Sequence, residues 1–280
     1  MGETVDGPHG VRVVGPHGVT VSAQGLGLRG PRGWAFRGID IDAEPGALIA
    51  IAGPSGSGRS SLLLTLTGRM KPTEGQASVG RFPLPKHMAA VRRISALGPV
   101  PGVTDLDPSL TVAEHLRERA LLQRRYDGSL QTLVRALLRP RGERAAEARL
   151  RIEAALSAAG LDMSTLPKGP RTAVRDLERL EALRLSVALA LIGRPGVLGV
   201  DDTDLKLSDT ERAEAWALLR SIAEAGTTVV AVCSEAPEDV LTVSTAPHTE
   251  DPGTDEDENT AKTDEDEKET ADALAEAGRA

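Results

Sequence analysis

The run Gly53-Pro54-Ser55-Gly56-Ser57-Gly58-Arg59-Ser60 fits the pattern GxxxxGK[ST] at every fixed position but one. The spacing has a physical reason. Glycines let a short loop curl round a polyphosphate with successive backbone N–H groups turned inward, and the following helix offers its positive end. Ser60 stands where a hydroxyl can hold Mg2+, and Ser61 completes the nucleotide-binding set. Arg59 is the exception. A lysine there would be a slim point charge reaching the β- and γ-phosphates, whereas a guanidinium is planar, forked and bulkier. It can still bind an anion, but its charge sits differently against a transferred phosphoryl group. A second element, Asp201-Asp202, closes an apolar run, and Asp201 is placed to hold Mg2+ through water. A Gly/Ser turn, or two acids ending a strand, can each arise for structural reasons alone. Together, in this order, they point to a Mg-nucleotide site.

These residues need elements to position them. Residues 47–53 (ALIAIAG) read as a buried strand feeding the loop, and residues 60–66 as the start of a helix. Residues 111–160 read as helical throughout, with apolar positions at mixed three- and four-residue spacing. Arg124, Arg125 and the basic stretch 139–144 read as a solvated helix face and its connecting loop. A further helix over residues 179–192 stops at Gly193-Arg194-Pro195. A strand over 197–201, a helix over 209–225 and a strand over 227–233 follow. The alternation predicts an α/β fold, a mostly parallel sheet with helices on both faces.

Hydrophobic residues make up 40% of the chain but aromatics only 2%, so the core must be built from Leu, Val, Ile and Ala. The single Cys233 excludes an internal disulfide framework. No apolar run approaches the ~18 residues of a membrane helix, and the N-terminus has neither a basic start nor an apolar signal region. A cytoplasmic protein is expected. The net charge of -8 is unevenly held: residues 250–280 carry -10 and the rest +2, which lacks the basic footprint of a nucleic-acid binder. Residues 1–24, with an imperfect GPHGV repeat, read as a flexible extension with a short strand at 11–14. His9 and His17 within it make a poor metal site, being only two ligands on a loose segment. Residues 246–280, with the repeat TDEDENTAK/TDEDEKETA, are too polar to offset their ordering entropy and are predicted to be disordered.

Collinear motifs carry a resemblance. Gly46, the Gly53–Gly58 loop, Pro72-Thr73-Glu74-Gly75, Leu110-Thr111-Val112-Ala113-Glu114-His115-Leu116 and the run from Ala188 to Asp201 stand in a telling order. Over about residues 20–240 the chain resembles the ATP-binding subunit of ABC transporters. The resemblance implies a P-loop NTPase domain over residues 25–245 with a helical subdomain near 105–180, and ATP with Mg2+ as its ligands. It implies a homodimer or heterodimer in which one subunit's phosphate loop meets the other's signature loop. It also implies a membrane-spanning partner that docks near residues 98–108.

The same resemblance exposes departures. Where the family has LSGGQ stands Leu177-Glu178-Arg179-Leu180-Glu181, whose carboxylates would repel phosphate. The catalytic Glu corresponds to Asp202, one methylene shorter, and the switch His to Ser234. No Gln occurs between Ile94 and Thr111, and Gly30 sits nearest the adenine-stacking aromatic, with Trp34 a displaced candidate. His115 reads as a helix-face residue. The expected function is therefore an ATP-binding transporter subunit at the inner face of a membrane, with hydrolysis weak or absent and Asp202 its catalytic candidate. The alternative is a non-hydrolysing regulatory or scaffold protein that uses the fold for binding only. A P-loop kinase would need an acceptor site and lid in residues 111–180, and no such constellation is present.

Overall fold

The computed structural model describes residues 18–31, 33–126 and 141–246, and arranges their nine strands in two sheets. The expected strand at 11–14, the two early histidines and the acidic tail lie outside these residues.

Strands β3 (Leu48–Ala52), β6 (Ser95–Leu97), β7 (Val197–Val200), β8 (Thr228–Cys233) and β9 (Leu241–Ser244) form a parallel sheet in the order β6-β7-β8-β3-β9. Its central strands are continuous apolar runs because both faces are covered. The period of two divides them between two cores. Ile49, Ile51, Val230 and Val232 face one, while Ala50, Val229, Ala231 and Cys233 face the other.

The first core is shared with α1 (Arg59–Leu66) and with a second sheet, β2-β1-β4-β5, of antiparallel strands. These are β1 (Val21–Gly30), β2 (Gly33–Ala43), β4 (Glu74–Val79) and β5 (Phe82–Leu84), with α2 (Met88–Ile94) following them. The mostly parallel sheet expected from the alternating pattern is thus only one of two, and β1 begins at Val21, inside the stretch read as an extension.

On the opposite face lie α5 (Arg179–Leu191) and α6 (Asp209–Glu224). Against α5 pack α3 (Val112–Tyr126) and α4 (Arg141–Ala158), the helical part expected near 105–180. Local signals start these helices. Ser208 and Glu211 form a reciprocal capping box for α6, satisfying two orphan N–H groups at its first turn. Thr111 and Glu114 make the same exchange ahead of α3, the Glu114 carboxylate accepting from Thr111 N at 2.8 Å. His115 is buried with its Nε2 3.2 Å from the Asp107 carbonyl, a structural role as expected of a helix-face residue. Among the described residues no helix is long and apolar enough to cross a membrane. Strands β7, β8 and β3 are neighbours, so the residues at their carboxyl ends share one crevice, where ligands bind in open α/β sheets.

Candidate nucleotide site

The loop leaving β3 turns tightly, with Ser57 N donating to Pro54 O at 3.2 Å, before Gly58 caps α1. Three of its glycines have positive φ: Gly53 at 154°, Gly56 at 83° and Gly58 at 84°. Gly58 is the most constrained, since a Cβ there would run into the Ala35 carbonyl of β2. Gly56 instead faces open space. A Cβ on Gly53 would meet the Thr245 and Ser57 hydroxyls, which bond each other at 2.6 Å. The residue after β9 therefore braces the loop from below, a contact that no sequence spacing signals.

Across the crevice, Asp201 is 4% exposed, and the Ser60 hydroxyl lies near enough to its carboxylate to lower its pKa. Burial raises its pKa; the Ser60 hydroxyl opposes that, the Asp202 charge adds to it, and the Arg59 charge works against it. The two residues proposed from sequence to hold Mg2+ are thus neighbours across the crevice. A hydroxyl and a carboxylate are the oxygen donors that suit Mg2+, which otherwise takes phosphate oxygens and water. Asp202 sits half-buried at φ 49°, a left-handed backbone uncommon outside glycine, and its N–H is tied to Asp201 Oδ1 at 2.9 Å.

Arg59 turns toward the end of β8. Its Nη1 donates a short hydrogen bond to the Cys233 carbonyl, the last residue before Ser234. Ser234 and Glu235 are held in turn by Asp204, whose Oδ2 accepts from their backbone N–H groups at 2.7 and 3.3 Å. The Cys233 thiol is buried, and that burial with the Asp204 charge pushes its pKa up to about 12, against the opposing pull of Arg59. Cys233 is therefore expected to resist iodoacetamide at pH 8 in the folded protein and to label fully in denaturant. Rapid labelling of the native chain would contradict this packing.

The family model for ABC transporters matches residues 36–204, more than half of the chain. The chain belongs to the ABC transporter family. Among its relatives, the Nod factor export ATP-binding protein I of Burkholderia thailandensis is 29% identical over 193 residues, and that of Cupriavidus metallidurans 30% over 192 residues. Each match takes in 69% of this chain but 55% of the relative, so the chain spans about half the length of the curated relatives it matches. Among solved structures, the dimeric bacterial ABC transporter cassette MJ0796 superimposes with a TM-score of 0.61 at 21% identity, covering 81% of this chain and 96% of that one. The structure of cbiO1 from Clostridium perfringens, part of the ABC transporter complex cbiONQ, gives 0.57 at 20% identity, over 77% and 78% of the two chains. At these identities the likeness shows the fold alone.

Within the ABC frame, the remaining motif positions have local explanations. Glu178 and Glu181, where the family places its signature loop, form a capping box at the start of α5; Glu178 N donates to Glu181 Oε2 at 2.9 Å. Their carboxylates serve the helix. The segment where the family's Gln would lie is a closed turn, with Thr104 Oγ1 accepting from Val100 N at 2.9 Å and donating to Gly98 O. Between this turn, α5 and Asp201–Asp202 lies a cavity of about 190 Å³ lined by Val100, Leu106, Arg179 and Leu183. Trp34 is 40% exposed, with Arg37 4.7 Å and Arg29 5.7 Å from its ring centroid, so guanidinium groups attend its ring. Sequence reading missed the Asp204 clamp, the Thr245 brace and the Cys233 acceptor, all of which depend on the strand order.

Proposed function

We propose that this chain is an ATP-binding subunit of a transporter, holding Mg-ATP on Gly53–Ser61 and docking on a separate membrane-spanning subunit. Two copies, or one copy and a related subunit, pair so that each phosphate loop faces the other's signature position. In this reading the backbone N–H groups of the loop and the N-terminus of α1 receive the polyphosphate, as oriented dipoles around an anion. Ser60 and Asp201 would hold Mg2+, which would supply positive charge to the polyphosphate. Asp202 is the candidate to orient the attacking water. Hydrolysis is weak, because Asp202 is short and the signature position carries Glu178 and Glu181. The protein works on the cytoplasmic side, where ATP is present.

The observation that supports this reading is the glycine loop and Ser60 standing at the carboxyl end of β3, with the buried Asp201 carboxylate near by at the end of β7. It brings a hydroxyl and a carboxylate suited to Mg2+ to one place from elements far apart in the chain. Ligand binding stabilises the folded state by mass action, about 3 kcal/mol when ligand is a hundredfold above Kd. Millimolar Mg-ATP is therefore expected to raise the melting temperature by several degrees in a domain of this size. Gly56→Asp places a carboxylate in the cradle where a side chain has room, and is expected to remove the shift while leaving the apo transition within a few degrees of wild type. A wild-type melting curve indifferent to Mg-ATP would exclude the reading.

A further inference from the structure

The loop after β7 runs beside the end of β8. Thr203 N donates to the Val232 carbonyl at 3.0 Å, which sets Asp204 opposite the residues that leave β8. There Asp204 Oδ2 accepts from Ser234 N at 2.7 Å and from Glu235 N at 3.3 Å. Two successive N–H groups thus form a small nest for the carboxylate. The Ser234 N–H and the Cys233 carbonyl belong to one peptide group, and that carbonyl accepts from Arg59 Nη1. A single planar amide therefore stands between a carboxylate and a guanidinium, with a hydrogen bond to each.

The charges make this more than two local bonds. Among the described residues neither Asp204 nor Arg59 makes a direct ion pair. Both side chains are half-buried. The Cys233 thiol, whose pKa is raised first by burial, is raised further by Asp204 and lowered by Arg59, so both charges act at this one residue. An N–H that donates to a carboxylate shifts electron density onto the carbonyl oxygen of the same amide. That oxygen becomes a better acceptor for a cation. Bonds linked in this way strengthen one another by about 10–30% each.

We infer that Asp204 is the counter-ion of Arg59, acting through the Cys233–Ser234 peptide group, and that this bridge tunes how tightly the phosphate loop holds a nucleotide. The effect on Mg-ATP rests on the proposed function, whereas the bridge belongs to the free chain. Asp204 is a positioning residue: it works by making the Cys233 carbonyl a stronger acceptor for the guanidinium. It ties the loop that carries Asp201 and Asp202 to the phosphate loop by way of β8. That route exists only because β7, β8 and β3 are neighbours in the sheet.

The test titrates Mg-ATP into the full chain by calorimetry. Asp204→Ala is expected to lower the melting temperature of the free protein, since two hydrogen bonds are lost. It is nevertheless expected to tighten Mg-ATP binding about threefold, the scale of a cooperative gain removed from a bond to a charged group. Asp204→Asn keeps an oxygen acceptor without the charge, and its gain should be smaller. In Arg59→Met, which has no donor for the carbonyl, adding Asp204→Ala should bring no further gain. In the free protein the Ser234 amide proton, read by heteronuclear NMR, should move upfield in Arg59→Met, although residue 59 makes no bond to it. Weaker Mg-ATP binding in both Asp204→Ala and Asp204→Asn would make Asp204 a structural clamp only and overturn the proposal. So would an equal gain in the Arg59→Met background, or an unmoved Ser234 amide. A wild-type titration silent to Mg-ATP, with the Ser234 shift intact, would support the bridge and count against the proposed function alone.

Discussion

Gly58→Ala should abolish Mg-ATP binding and lower the melting temperature by roughly ten degrees. The backbone at Gly58 has φ 84°, so any L side chain bears the left-handed cost of about 1–2 kcal/mol. The larger effect is steric. The new Cβ would overlap the Ala35 carbonyl and approach Phe36 N within 3.3 Å, and neither is a flexible side chain that can swing aside. Relief requires α1 to move off β2, opening the core in which Leu62, Leu63 and Leu66 pack with Phe36 and Ile39. A total near 3–5 kcal/mol follows, in the range of severe core lesions, and each kcal/mol is worth about 2–4 °C at this chain length. Gly56→Ala is the comparison. Its φ is 83° but its surroundings are open, so only the backbone cost applies. If calorimetry gives the two variants equal losses, the approach of β2 to the loop is not what demands glycine at 58.

The second large effect is in turnover. Steady-state phosphate release from the isolated chain should fall well below one per second, against about ten per second for a typical enzyme. A water-positioning group displaced by about 1 Å can lose a hundredfold, and on the proposed function Asp202 is a methylene shorter than the family's Glu. In a homodimer each site would also meet a partner's signature position whose two Glu carboxylates are engaged in capping α5. Arg59→Lys with Asp202→Glu should therefore recover less than about tenfold, because the facing loop stays unchanged. Pairing with a competent ABC subunit should do better, at the site that combines this chain's phosphate loop with the partner's intact signature. A wild-type rate near one per second that vanishes in Asp201→Asn would sink the degenerate-site reading.

The positions of the glycine loop and of Asp201-Asp202 were legible in the sequence because the motif fixes residue types at fixed spacing, and the alternating pattern placed both at the ends of strands of one sheet. The antiparallel sheet was harder to see. In β1 the inward and outward residues cease to alternate after Ala23, where register shifts against β2 and β4 interrupt the pleat. A period-two pattern broken by bulges does not announce a strand. Glu178 and Glu181 carry a second signal that the motif reading passed over. Their i, i+3 spacing ahead of an apolar helix is that of a capping box, and the structure uses it so. The partner of Arg59 had no local signal at all: the acceptor carbonyl lies 174 residues away, and only the adjacency of β3 and β8 brings it within reach.

That last contact means the free protein carries its own competitor for phosphate. Before Arg59 can turn to a nucleotide, it must release the Cys233 carbonyl. A hydrogen bond to a charged group contributes roughly 1.5–3 kcal/mol, equivalent to about ten- to a hundredfold in affinity. A lysine, with its compact ammonium, would leave less behind on letting go. On the proposed function the arginine would set a threshold: at low ATP the guanidinium would stay with its own backbone, and the site would fill only where nucleotide is abundant.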